Sequence, residues 1–438
     1  MMSYIPGTKE EQQEMLKAIG YDAFSDLYAS IPEEILLKEP LALKEGLSEL
    51  ELLEEMHRLA EKNKVFKTVL RGAGAYKHYI PATVDALSSR GEFLTAYTPY
   101  QAELSQGILQ NIFEYQTMIC EITGMDVANA SVYDGATAAG EAALMVKDRK
   151  RHKLLVSSAA DPIVISTIKT YAIPAGIEVE MIPMQNGITD YEKLKEQLND
   201  SIAGVYLAQP NYYGSLEDMT LVAELTHAVG AKFIAGVNPI SLGMIAPPGE
   251  YGADIAVGDG QPLGIPLSFG GPGFGFMATT KAMMRKLPGR IVGETTDHHG
   301  KRAFVLTLQA REQHIRREKA SSNICSNQAW CALRGAIYLS TVGKEGFGEV
   351  AMACYENAHA LQEALSSLGF SLINHTPFFH EFVTSSPVPA SELEKALMKK
   401  GILAGLPLAD NNILWCATEL IREKEIAEIV AAIEGVLS

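Results

Sequence analysis

Between residues 130 and 276, five short β-rich runs alternate with helical ones, and this alternation limits the chain to a narrow set of folds. The runs "HKLLVSS", "EVEMIP", "IAGVYLAQP", "AKFIAGV" and "ADIAVG" are mostly apolar, as strands buried on both faces must be. Helical runs such as "DYEKLKEQLND" and "LVAELTHAVG" separate them. Strands alternating with helices build a mostly parallel sheet with helices on its faces, and ligands of such sheets bind beyond the carboxyl ends of the strands.

The 438 residues exceed what one small core organises. Residues 1–65 are predicted to form an N-terminal helical arm. "TKEEQQEMLKAIG" opens on a Thr cap with an acidic first turn, and "LSELELLEEMHRLAEKN" repeats Leu and Met at three- and four-residue spacing. Helices this short are marginal alone, so the arm is expected to pack on something larger. Residues 66–326 are assigned to the large α/β domain. Residues 327–438 are predicted to form a smaller α+β domain: a long helix, "FHEFVTSS", the helix "ASELEKALMKKG", the strand "NILWCATEL" and a final helix.

Charge and cysteine usage exclude several functions. A net charge of -16 without a basic run argues against nucleic acid and anionic membrane as partners. No segment stays apolar for the roughly 18 residues that a span needs, and the first residues lack signal-peptide character, so a cytoplasmic location is expected. Cys120, Cys325, Cys331, Cys354 and Cys416 are an odd set without a CxxC pair, so they are expected to be reduced thiols and no metal site is predicted. His298 and His299 beside Asp297 lack further spaced ligands.

Several stretches could carry chemistry. Residues 255–278 form strand, glycine-rich loop and strand, a setting that often brackets a reactive side chain, yet they contain no Lys, Cys or His. Asp134, Gly135, Ala136 and Thr137 precede a small-residue helix; they read either as an anion seat or as an ordinary helix cap. Asn211 and Tyr212 are expected on the ligand side of the sheet. The run 305–329 gathers Arg311, His314, Arg316, Arg317 and Lys319 with Glu312 and Glu318. It reads first as a solvated helix face with a Glu312–Arg316 pair, and alternatively as a binder of phosphate or of an acidic partner surface. Tyr76, Tyr79, Tyr97 and Tyr100 lie in an irregular polar segment and either line a site or pack with one polar tip each.

The stretches "TPYQAELSQGILQNIFEYQTMICEITGMDVANASVYDGATAAGEA", "PPGEYGADIAVGDGQPLGIPLSFGGPGFGFMAT" and "REQHIRREKASSNICSNQA" together resemble the glycine cleavage system P-protein family, glycine dehydrogenase (decarboxylating). The resemblance runs from "YIPGTKEEQQEML" almost to the C-terminus. It implies a pyridoxal-phosphate-dependent transferase fold of the aspartate aminotransferase type, with a mostly parallel seven-stranded-type sheet and a smaller C-terminal α+β domain. Length and motifs resemble the separate alpha subunit of the two-subunit form.

In the beta subunit of that family a His-Lys pair precedes the glycine-rich loop, and its Lys holds the cofactor. The same pattern laid over this chain puts Gln261 and Pro262 at that pair. A Schiff base needs a primary amine, which proline cannot supply. The strand ending in Gly236, Val237 and Asn238 also lacks the acid that such folds use to keep the pyridine nitrogen protonated. The resemblance therefore implies pyridoxal phosphate on a beta subunit and not here, with a vestigial phosphate seat at Gly135, Ala136 and Thr137. The implied reaction decarboxylates glycine and passes its aminomethyl group to the lipoyl group of H-protein. The implied assembly is an alpha-beta heterotetramer, with an alpha homodimer expected of the isolated chain. Arg71, His78, Tyr79, Thr98, Tyr100 and Gln101 are expected to complete the partner's site, Arg71 or His78 by taking the glycine carboxylate or guiding the lipoyl arm. Two alternatives stand beside this reading: a purely structural docking subunit, and a self-sufficient enzyme binding pyridoxal phosphate non-covalently at the Asp134 to Thr137 helix start.

Overall fold

The computed structural model describes residues 7–39, 41–320, 322, 324 and 328–437. Cys325 and the domain boundary expected at 326/327 lie outside the described residues. The chain divides into two compact units, Met1–Lys64 and Val65–Ser438.

In the first unit, helix Lys9–Ala18 is capped by Thr8, whose hydroxyl accepts from Glu11 N at 3.2 Å while Glu11 Oε2 accepts from Thr8 N at 2.7 Å. Ser48 and Glu51 repeat this reciprocal cap on helix Glu49–Ala60. Each cap satisfies donors that a helix start leaves open. Leu50, Leu53, Met56 and Leu59 of the second helix are exposed, so its apolar face meets no partner within this unit.

The second unit is built on a seven-stranded sheet. Its strands are β1 (Val127–Ala128), β2 (Lys153–Ser157), β3 (Glu178–Ile182), β4 (Ile202–Gln209), β5 (Lys232–Val237), β6 (Ile255–Asp259) and β7 (Gly275–Thr279). Their spatial order is β1-β7-β6-β5-β4-β2-β3. The pairs β3/β2, β2/β4, β4/β5 and β5/β6 are parallel, and β7 runs antiparallel to both its neighbours. The apolar strand sequences divide by parity, because successive side chains point to opposite faces. Leu155, Val205, Leu207, Phe233, Ala235 and Phe276 enter one core, whereas Leu154, Val156, Tyr206, Ile234, Val257 and Met277 enter the other. Burial on both faces stabilises each large side chain by about 1.5–3 kcal/mol.

A third core underlies the C-terminal part, where Trp415, Phe370, Phe382, Leu393 and Leu397 are buried. The segment after residue 65 belongs to this part too, since Thr68–Val69 pairs in parallel with Ile402–Leu403. That strand and the helices Ala82–Ser88 and Gly91–Leu94 occupy a segment whose sequence reads as irregular; the helices span only two turns or less, too short for periodicity to register. The hairpin Ile291–Thr296 with Arg302–Thr307 was likewise not foreseen, and His298 and His299 sit in its turn. The long helix Ala329–Ser367 contains a non-helical break at Gly343. Among the described residues Cys120, Cys331, Cys354 and Cys416 are free thiols, and no helix is long and apolar enough to cross a membrane.

Candidate functional site

Two cavities of the second unit bear on function. The first, of about 340 Å³, opens at the carboxyl ends of β4, β5 and β6, where Pro210, Asn211 and Tyr212, then Val237 and Asn238, then Gly258 and Asp259 reach its wall. Gly135 and Ala136 at the start of helix Gly135–Val146 face it, as do Asp161, Tyr76 and Pro262. The helix packs tightly against the end of β6: a Cβ on Gly135 would stand 2.6 Å from Asp259 N.

The helix start is already occupied by carboxylates of this chain. Gly135 N donates to Asp259 Oδ2 at 3.0 Å, and Thr137 N donates to Asp134 Oδ1 at 2.7 Å. Asp259 Oδ1 accepts from Gln261 N at 2.8 Å. Burial raises the Asp259 carboxyl to about 6, which the Gly135 and Gln261 amides oppose and Asp134 reinforces. A phosphate at this helix start would displace one carboxylate and face another. No Lys, Arg or His lines the cavity among the described residues, and Val237 and Asn238 supply no acid at the end of β5. The residues present therefore do not fit pyridoxal phosphate.

Behind Tyr76 lies Glu381, 2% exposed. Its carboxylate accepts from the Tyr76 hydroxyl at 2.7 Å and from Ala73 N at 2.7 Å. Burial pushes it up to about 7.

The second cavity, about 510 Å³, is walled by Tyr97, Thr98 and Tyr100 on one side and by Arg290, Arg311 and His314 on the other. Arg290 Nη2 donates to the Tyr100 hydroxyl at 2.9 Å, and its guanidinium lies 5.1 Å from the centre of the Tyr100 ring. Arg311 donates through Nη1 to Leu287 O. Among the described residues its Nε and Nη2 are buried without a partner, as is Arg290 Nε. Burial lowers the Arg311 pKa, with Glu312 opposing. Buried N–H groups left over on two arginines suit this cavity to an anion, with the Glu312 carboxylate in the same lining opposing.

The six residues expected to act together are dispersed. Thr98 and Tyr100 line the arginine-rich cavity, and Gln101 is exposed beside them. Arg71 is held elsewhere, by Glu394 Oε1 at 2.5 Å and Gly405 O at 3.0 Å. His78 is buried, with Nδ1 at 2.8 Å from Glu419 Oε2, while Tyr79 N donates to Glu419 Oε1. The Cys354 thiol donates to the same Glu419 at 3.4 Å. Arg71 Nη2 and His78 Nδ1 are thus paired inside the C-terminal part, while Arg71 Nε and His78 Nε2 are buried without a partner among the described residues.

The charge run is not one helix face. It breaks into short turns at Gln309–Arg311, Gln313–Arg316 and Arg317–Lys319, and among the described residues Glu312 lies 3.8 Å from His314 instead of pairing with Arg316. Arg290 was missed by sequence reading; the signal was an Arg set directly after a Pro-Gly turn, where a charge meets an otherwise apolar strand start.

A sheet of this order with a cavity at its carboxyl ends defines the fold, a mixed sheet with flanking helices. The fold is shared, for example, with alanine–glyoxylate aminotransferase from Nostoc sp., at TM-score 0.61 and 17% identity over 93% of this chain and 99% of that one. The chain belongs to the glycine cleavage system P-protein family, whose pattern matches residues 2–433. Probable glycine dehydrogenase (decarboxylating) subunit 1 of Moorella thermoacetica is 48% identical over 445 aligned positions, covering 100% of both chains. The protein of that description from Listeria innocua is 48% identical, covering 99% of both. The crystal structure of glycine decarboxylase (P-protein) of the glycine cleavage system, in inhibitor-bound form, matches with TM-score 0.93 and 45% identity, covering 99% of this chain and 100% of that one.

Proposed function

We propose that this chain is the alpha subunit of a two-subunit, cytoplasmic glycine dehydrogenase (decarboxylating), and that its arginine-rich cavity completes the site of a beta partner. The pyridoxal phosphate resides on that partner, consistent with Pro262 and the carboxylates at the helix start here. The assembled enzyme releases the glycine carboxylate as carbon dioxide and passes the aminomethyl group to the lipoyl group of H-protein.

The observation that carries the reading is Arg311: a buried guanidinium with two donor atoms that have no partner among the described residues, beside a wall of Tyr97, Thr98 and Tyr100. Such a group binds a carboxylate strongly, because water no longer competes for its N–H groups. Arg311 and Arg290 orient the glycine carboxylate, and Tyr100 fixes the Arg290 plane. This replaces Arg71 and His78, which do not line this cavity and pair with Glu394 and Glu419 instead. The exposed apolar face of helix Glu49–Ala60 supports assembly with a partner chain, in an alpha-beta heterotetramer.

The test is glycine-dependent exchange of labelled bicarbonate, with lipoyl H-protein and pyridoxal phosphate present. The chain alone is expected to be silent, and the mixture with its beta partner active. Activity in the single chain refutes the assignment of the cofactor to the partner. A wild-type rate in the Arg311→Ala complex would leave a docking role without a side chain in the site.

A further inference from the structure

The arginine-rich cavity also carries a group of the opposite sign. Glu312 lines it beside Arg311, and its side chain is 11% exposed. Arg311 closes the turn Gln309–Arg311, and Glu312 is extended, with φ -82° and ψ 159°, where the turn Gln313–Arg316 begins. A carboxylate at such a position can accept from the open amides of the turn. Glu312 makes no such bond with its side chain, although its carbonyl accepts from Ile315 N at 3.1 Å and from Arg316 N at 2.8 Å.

Arg311 and Glu312 are neighbours in the chain, yet they leave atoms of both unsatisfied. Arg311 Nε and Nη2 and Glu312 Oε1 are all buried without a partner among the described residues. The other oxygen, Oε2, lies 3.8 Å from His314 Nδ1, beyond hydrogen-bond length. Buried polar atoms are almost always paired, and a buried charge without a partner is costly. One cavity thus holds left-over donors and a left-over acceptor together. A simple anion would satisfy the arginines and be repelled by Glu312, and a simple cation would do the reverse. A molecule that carries both charges a few bonds apart satisfies both.

We propose that Glu312 is the ammonium-binding residue of this cavity and makes it selective for a zwitterionic α-amino acid, with the carboxylate on Arg311 and Arg290 and the ammonium on Glu312 Oε1. The inference rests on the reading of this cavity as the glycine site, and adds the group that tells an amino acid from a plain carboxylic acid. An ammonium donating to a buried carboxylate makes a charge-assisted hydrogen bond. A buried acceptor built for a donor rejects an analogue without that donor more strongly than shape alone can.

The experiment measures glycine-dependent bicarbonate exchange in the assembled enzyme, with acetate, which has the carboxylate and no ammonium, as the competing ligand. Glu312→Gln is expected to raise KM for glycine about tenfold, the scale of one charge-assisted hydrogen bond, with the smaller part of the loss in kcat. Acetate is expected to inhibit this variant at least as well as wild type, because the repelling charge is gone. Glu312→Asp, which keeps the carboxylate, should recover part of the affinity for glycine. An unchanged KM for glycine in Glu312→Gln overturns the proposal and leaves the role of Arg311 standing. So does a parallel loss of glycine and acetate affinity, which marks damage to the cavity as a whole. Arg311→Ala is the counterpart and is expected to lose acetate inhibition. If it keeps both wild-type exchange and acetate inhibition, the glycine site lies elsewhere and both readings fall.

Discussion

The two cavities differ in the sign of their charge although one fold and one chain build both. The cavity at the sheet ends presents Asp134, Asp161 and Asp259 and gives its helix-start amides to its own carboxylates. The cavity beneath Tyr97 to Tyr100 presents Arg290 and Arg311 with donors left over. The difference teaches that a helix start whose amides are taken by carboxylates of the same chain has fewer donors left for an anion, whereas loops that converge on arginines leave donors over. What decides is which groups are left unsatisfied, since buried donors without partners carry the free energy that a ligand can release.

The largest expected effect breaks the comparison at its basic end. Arg311→Ala in the assembled enzyme should lower bicarbonate exchange about a hundredfold, the scale of a lost charge-assisted pair. Arg311→Lys should recover only part of that, because a point charge cannot reproduce the planar fork.

The acidic end should appear as a pH dependence of stability. Glu381 has an ordinary value of 4.5 and a folded-state value of about 7. The folded chain therefore keeps a proton that the unfolded chain releases across this window. The corresponding stabilisation is fully present below pH 4.5 and is lost as pH rises through 7. Glu381→Gln removes this titration. Urea unfolding should show wild type losing on the order of 2 kcal/mol relative to the variant between pH 5 and pH 8. Parallel curves for the two proteins would show that burial does not hold the proton.

A third substitution pair tests whether the seat is blocked as well as lacking its amine. Pro262→Lys alone should gain no pyridoxal absorbance, whereas adding Asp259→Ala should tighten pyridoxal phosphate binding on the order of tenfold by freeing Gly135 N. Equal binding by single and double variants would show that Asp259 is no obstacle.

Smaller effects sharpen the boundary of the basic cavity. Tyr100→Phe loses the bond from Arg290 and should slow exchange about threefold. Arg71→Ala should leave the exchange rate unchanged and cost less than about 1 kcal/mol of stability, as its partly exposed pair with Glu394 predicts. A large rate loss in Arg71→Ala would return that residue to the site.

The parallel strands were legible because burial on both faces demands uninterrupted apolar runs, as in Leu154 to Val156 or Phe233 to Ala235. The caps at Thr8 and Ser48 follow from local hydrogen-bond chemistry within four residues. That Pro262 itself cannot form a Schiff base follows from the sequence too, since proline lacks a primary amine in any fold. Arg71 and Arg311 were not distinguishable in the same way: both are arginines in polar stretches, and only the fold sets Arg311 in the cavity wall and Arg71 Nη2 against distant partners. Those partners, Glu394 and Gly405 for Arg71, lie more than 300 residues away.

The sequence by itself determined the scaffold and the absence of covalent cofactor chemistry at Pro262, because periodicity and functional-group identity are local properties. Tertiary structure alone decided that Asp259 fills the helix start, that Glu381 keeps its proton near neutrality, and that Arg290 and Arg311 share a cavity with Tyr100. Desolvation and unsatisfied hydrogen bonding depend on what surrounds a group in space, and chain order does not specify those neighbours until the fold brings distant segments together.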